Sequence, residues 1–291
     1  MHVGSMMEKL TYILAVIDSP ENGEVVLDKA VALARRFGAR VELMVPEFVP
    51  MRPFAKRCTD LGYDQVMLSS VARGPVPLHE IIIKRVLAVK PDLVVKAGVA
   101  GQAPHSSVTT GDWQLAHECP VPILLVRQTP WAVPPRFATS IGVDDEDAER
   151  LARSILHTAG FLALGCRGNL DILYSEREEH DERLRMERAV KVAQLVREFH
   201  VGCERIQMFS GPPEDRLPAL TAVRQYDVLV LGVKSAEAHH HSLKDHFVSR
   251  MIERAESDLV LVRAVSCASR QAGESAPSFL KQGLDQVEEL V

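Results

Sequence analysis

Tyr12-Ile13-Leu14-Ala15-Val16-Ile17 is an unbroken apolar run, closed by Asp18. Residues 24–37 follow with Leu27, Val31 and Ala34 at helical spacing and end at Gly38. A second apolar run occupies 41–45, and Asp92-Leu93-Val94-Val95-Lys96 and Ile123-Leu124-Leu125-Val126-Arg127 come later. Residues 137–143 ending in Asp144, a helical stretch over 148–164, and runs at 170–174, 227–231 and 259–263 repeat the order. Strands that are apolar throughout belong to a parallel sheet covered by helices on both faces, because neither face can be left to water. The sequence therefore predicts an α/β protein made of two tandem, doubly wound, Rossmann-like parallel-sheet domains.

The halves share further punctuation. Gly74-Pro75 and Gly211-Pro212 each precede the third helix, which leads into Asp92 or Asp227. They differ between the second and third strands. Residues 174–203 hold a charged amphipathic helix with Met186, Val190, Ala193 and Val196 expected inward, whereas 46–63 is too short for its equal. The first repeat is thus expected to lack most of its second helix. Trp131-Ala132-Val133-Pro134-Pro135 reads as a stiff linker between domains at 9–131 and 135–264. In the tail, 265–291, Leu280, Leu284, Val287 and Val291 recur at helical spacing, as a short docking helix or as a disordered segment.

The chain has 291 residues, a formal net charge of -5, and a hydrophobic fraction of 46%, enough for a large core and no general attraction for nucleic acid. No run reaches the ~18 apolar residues of a membrane span, and the opening residues lack a secretory core, so a cytoplasmic protein is expected. Cys58, Cys119, Cys166, Cys203 and Cys267 are odd in number and scattered, which reads as free thiols.

Thr109-Thr110-Gly111-Asp112-Trp113, followed by Cys119-Pro120 and the Ile123–Val126 strand, resembles the E-type subgroup of the universal stress protein family. There Thr-Pro-x-Asp-Trp precedes the final helix; Thr110 replaces the proline. The resemblance covers about 9–264 and implies pairing of the repeats through their last strands, 123–126 and 259–262, as an internal pseudo-dimer. It also implies an ATP site, with an aspartate after the first strand and a Gly-x2-Gly-x9-Gly-Ser/Thr loop after the fourth. Asp18 and Asp144 hold the aspartate position. In the second repeat, Gly232 and Ser235 stand for the loop's first glycines, and Asp245-His246 replaces Gly-Ser. A carboxylate there repels phosphate, and the lost glycine restricts φ.

In the first repeat, Gly98, Gly101 and Gly111 match the glycine spacing. Both flanks disagree: Ala97 aligns with Gly232, and aligning Cys119-Pro120 with Ser257-Asp258 sets Ser107-Val108 opposite Asp245-His246. Both loops thus read as degraded. His239-His240-His241 near His246 reads first as a solvated loop and secondly as a metal site. Asp144-Asp145-Glu146-Asp147 reads as helix capping, and 176–187 as a charged solvent face. No catalytic triad and no GKS/T loop occur.

The expectation is a non-catalytic binding or regulatory protein of the stress response, with no cofactor and no metal. Its partner would be a protein or a small ligand, and its state monomeric or homodimeric. The alternatives are an ATP-binding, slowly hydrolysing switch and a carrier of an apolar or nucleotide-sugar ligand between the repeats.

Overall fold

The computed structural model describes residues 7, 9–72, 75–98, 107–176, 182–199, 202–203, 205–233 and 246–264. The tail at 265–291, the histidines at 239–241, Cys267, and Ser235 and Asp245 lie outside them. The first repeat runs β1 (Tyr12–Val16), α1 (Pro20–Phe37), β2 (Arg40–Pro46), α2 (Arg52–Leu61), β3 (Val66–Val71), α3 (Leu78–Val89), β4 (Leu93–Ala97), α4 (Ser107–Glu118) and β5 (Ile123–Val126). The second runs β6 (Arg136–Ile141), α5 (Glu146–Gly165), β7 (Asn169–Glu176), α6 (Glu182–Glu198), β8 (Arg205–Ser210), α7 (Pro213–Arg224), β9 (Val228–Val233), α8 (His246–Arg254) and β10 (Asp258–Arg263).

All ten described strands form one sheet, in the order β3-β2-β1-β4-β5-β10-β9-β6-β7-β8. Pairing is parallel within each half, and β5 meets β10 antiparallel, with Leu124 opposite Val260. The strand-to-strand contact implied by the family resemblance is therefore the seam of the sheet. One face is packed by Leu27 and Val31 of α1, Phe54 of α2, Ile155 of α5 and Leu195 of α6. The other is packed by Ile82 of α3, Leu115 of α4, Leu217 of α7 and Met251 of α8. No described helix is long and apolar enough to cross a membrane.

The Asp-initiated strands have a shared cause. Asp92 accepts from Thr11 N–H at 2.7 Å and Tyr12 N–H at 3.0 Å. Asp227 does the same for Arg136 N–H at 2.7 Å and Ala132 N–H at 2.8 Å. Each aspartate thus satisfies backbone donors where the first strand of its half begins.

Two expectations are corrected. The second helix of the first repeat is shortened rather than mostly lost: α2 keeps 10 residues against 17 in α6. Phe54 anchors it in a notch at Gly23, where a Cβ would lie 2.4 Å from the ring, and Arg57 pairs with Asp28 at 2.6 Å. In α6, Met186 and Val190 face solvent, 72% and 54% exposed, while Val192, Leu195 and Val196 face the core. Ion pairs from Arg188 to Asp144, Lys191 to Glu149 and Glu198 to Arg153 tie one flank of α6 to α5 and the turn before it.

Each half also buries one carboxylate on its second strand. Glu42 accepts from the Tyr12 hydroxyl, from Ser69 Oγ at 2.7 Å and from Arg85 Nε at 2.9 Å. At the matching place on β7, Asp171 accepts from the Tyr226 hydroxyl. Burial first, and then the adjacent carboxylate, pushes both phenols up to about 12. Unfolded tyrosine ionises near 10, so between these pH values the native state holds more protons and stability falls as pH rises, by roughly 2.7 kcal/mol per tyrosine. In a spectrophotometric titration these two phenols should ionise last; ionisation of all four tyrosines together near 10 would contradict this account.

Candidate functional site

In a doubly wound sheet, ligands sit beyond the carboxyl ends of the strands, where the strand order reverses. Here those points lie between β1 and β4 and between β6 and β9. The first crevice is filled by charge. Lys96, the fourth residue of β4, is 4% exposed. Its Nζ lies 2.7 Å from Asp18 Oδ2, 2.9 Å from Asp112 Oδ1 and 3.0 Å from the Ala97 carbonyl oxygen. Burial opposes the ammonium, but Asp112 and Asp18 together outweigh it and hold Lys96 above its ordinary value. Two carboxylates share this one cation, and burial holds Asp112 above the usual carboxylate range.

The Thr109–Trp113 stretch lies within α4, and its aspartate closes this triad. Sequence reasoning read Asp112 only as part of the Thr109–Trp113 motif and passed over Lys96. The available signal was the lysine itself: an ammonium inside an otherwise apolar buried strand requires a carboxylate partner. Gly98 is likewise explained by packing, since a Cβ there would lie 2.8 Å from Arg127 Nη1.

The second crevice is apolar. Strand pairing aligns Phe137 with Ile13, so Gly142 rather than Asp144 stands where Asp18 stands. Asp144 instead lies 3.3 Å from Arg188 of α6, and Asp145 caps α5 by accepting from Ala148 N–H at 2.7 Å. Leu231 replaces Lys96. The register also pairs Leu124 with Val260 as equivalents, which moves the alignment of the last strands by two residues: Pro122, not Pro120, corresponds to Asp258. Val248, 4% exposed, then replaces Asp112, and Thr109-Thr110 rather than Ser107-Val108 aligns in sequence with Asp245-His246.

Gly232 keeps its expected place opposite Ala97, but a Cβ there would lie 2.6 Å from Leu151 and 2.7 Å from Ile155. Its missing side chain makes room for α5. His246 opens α8. The predicted residues are therefore not gathered into one described site: Asp18 belongs to the triad, Asp144 to the α6 contact and Gly232 to helix packing. Among the described residues, no three His, Cys, Asp or Glu side chains are grouped to hold a metal ion.

A second buried charge group sits on the seam. Asp258, at the start of β10, is 2% exposed. It accepts from Lys29 Nζ of α1 at 2.7 and 2.8 Å, from Arg127 N–H at 2.6 Å and from the Trp131 indole N–H at 2.7 Å. Burial pushes Asp258 up and Lys29 down, each against its partner's pull. Helix, strand end and linker of one half thus converge on one carboxylate of the other.

No family model matches the sequence. The universal stress protein E of Salmonella typhi is 20% identical to it, the alignment covering 86% of this chain and 93% of that protein. Both halves of the sheet fall inside that alignment. Over most of its length the chain is similar to universal stress proteins E. A putative universal stress protein from Pseudomonas aeruginosa UCBPP-PA14 shares the fold, with 19% identity and a TM-score of 0.70, over 89% of this chain and 95% of that one. One from Archaeoglobus fulgidus does so at 14% identity and a TM-score of 0.60, over 87% and 98%.

Proposed function

We propose that the chain is a universal stress protein acting as a non-catalytic binding and regulatory module of the cytoplasm, built from units at 9–131 and 135–264, in which neither crevice serves as an ATP site. The observation that carries the reading is the 2.7 Å contact between Lys96 and Asp18. A nucleotide using Asp18 as acceptor would have to bring a donor to the buried Oδ1 of a carboxylate whose Oδ2 Lys96 already holds, and whose charge that ammonium already neutralises. In the second repeat, Leu151 and Ile155 already occupy the space beside Gly232.

The partner is then a protein or a small ligand, and the protein is a monomer or a homodimer. Full-length protein is expected to show no thermal shift with ATP at about 1 mM and no ATP hydrolysis. A ligand present at ~100 times its dissociation constant would stabilise by about 2.7 kcal/mol. An ATP-sized adduct in the native mass spectrum of the purified protein, or measurable turnover, would overturn the reading in favour of an ATP switch. One observation favours a second reading, a carrier of an apolar or nucleotide-sugar ligand: the second crevice is lined by Leu231 and Val248 where the first has Lys96 and Asp112. An adduct of lipid or sugar-nucleotide mass in the same spectrum would select it.

A further inference from the structure

A cavity of about 550 Å³ opens where β1, β2 and β3 begin, at the opposite end of the strands from the crevice of the first repeat. Small-molecule sites have volumes of roughly 300–1,000 Å³. Its apolar wall comes from the end of one helix and the edge of the sheet. Helix α3 buries Ile82 and Val86 in the core and ends at Val89, which lines the cavity together with Val66 and Met67 of the edge strand β3. Met67 is 54% exposed.

The charged groups of the cavity are unequally engaged. Arg85 is committed to the protein itself: its Nε lies 2.9 Å and its Nη2 2.8 Å from Oε1 of the fully buried Glu42. Arg40 lays its guanidinium over the Tyr12 ring, 4.2 Å from the centroid, a contact that orients the group and uses none of its N–H donors. Asp64 stands exposed just before β3. Among the described residues, neither Arg40 nor Asp64 makes a side-chain hydrogen bond or an ion pair, with each other or with a third group, although both line the same cavity. One cation and one anion are thus left for a guest. A simple carboxylate would meet Arg40 and be repelled by Asp64, and a simple amine would meet Asp64 and be repelled by Arg40. A molecule that carries both charges satisfies both groups, through the charge-assisted bonds that are the strongest of their kind.

We propose that this cavity binds a free α-amino acid with an apolar side chain, its carboxylate on Arg40, its ammonium on Asp64 and its side chain against Val66, Met67 and Val89. The site is separate from both crevices, so it stands or falls independently of whether they take ATP. Titration of the full chain with L-phenylalanine, followed by calorimetry and by amide NMR shifts, tests it. Binding should saturate with a dissociation constant below about 10 mM, and the shifts should centre on 40–41, 64–67 and 85–89. The amine-free analogue 3-phenylpropionate and the carboxylate-free analogue phenethylamine should each bind at least about tenfold more weakly, as should L-phenylalanine to Arg40→Gln or to Asp64→Asn. Both side chains are exposed and unpaired, so these variants should fold as the wild type does. Failure of L-phenylalanine, L-leucine and L-methionine alike to saturate the protein would overturn the proposal. So would 3-phenylpropionate binding as tightly as L-phenylalanine, which would assign the cavity to plain anions, or affinity unchanged in both variants.

Discussion

Asp258→Asn should lower the unfolding free energy by about 3–5 kcal/mol, the range for breaking a buried ion pair by removing one partner. Lys29 would be left with a charge in a site only 7% exposed, facing an amide whose N–H2 repels it. The Arg127 N–H and the Trp131 indole would share a single neutral oxygen. The loss should appear as a lower denaturation midpoint with a local signature: fluorescence from Trp131, the linker tryptophan, changes because its indole loses a charged acceptor. Lys29→Met should be costly too, since it strands the carboxylate. The double variant should cost clearly less than the sum, because each single change leaves the other group's desolvation uncompensated. A single-variant loss under about 1 kcal/mol, or additive losses, would mean that water rather than the pair satisfies the seam.

The seam also shows where sequence reading succeeds and where it stops. The runs at 92–96 and 227–231 were legible as buried strands, because a strand buried on both faces has only one composition available to it. The aspartates that open them were recognised as repeat marks, and their hydrogen bonds to the first strand explain why. Asp258, Lys29 and Trp131 were invisible as a set, since they lie on a helix, a strand and a linker whose convergence depends on the antiparallel register of β5 and β10. Register likewise decided between Gly142 and Asp144. Both follow the same strand, and an extra stretch of loop in the second repeat puts the acidic residue beyond the crevice, where it meets Arg188.

For α6, Val196 is inward as expected, but Met186 and Val190 were misjudged because hydrophobic periodicity assumes that the richest apolar stripe faces the core. Val192, Leu195 and Val196 supply the buried stripe instead, and three ion pairs join the helix to the α5 side. Degraded phosphate loops were expected from missing glycines, at residues that lie outside the described ones. What fills the crevices in their place, a charged triad in one repeat and leucine and isoleucine in the other, required neighbours far away in sequence.

Lys96→Met should be about as damaging as the loss of Asp258, again about 3–5 kcal/mol. Two carboxylates would then face each other without their cation, one of them 3% exposed. Asp112, already held up by burial, would be driven to bind a proton. The second repeat suggests how to separate the cost of a broken triad from the worth of an intact one. It solves the same packing problem with Gly142, Leu231 and Val248. Transplanting that solution as Asp18→Gly, Lys96→Leu and Asp112→Val removes every charge together and leaves no carboxylate stranded. If the triad were chiefly a stabilising device, the triple variant would be at least as unstable as Lys96→Met. The expected result is recovery of most of the lost stability, because replacing a buried ionic group by packed apolar residues is often neutral or better. Denaturant titration of wild type, Lys96→Met and the triple variant decides it. Recovery would mean that the charges are kept for something other than stability, and the place they occupy, the strand-order reversal of the first repeat, is where a doubly wound fold presents its binding surface. Failure to recover would make Lys96 a structural counter-ion and nothing more.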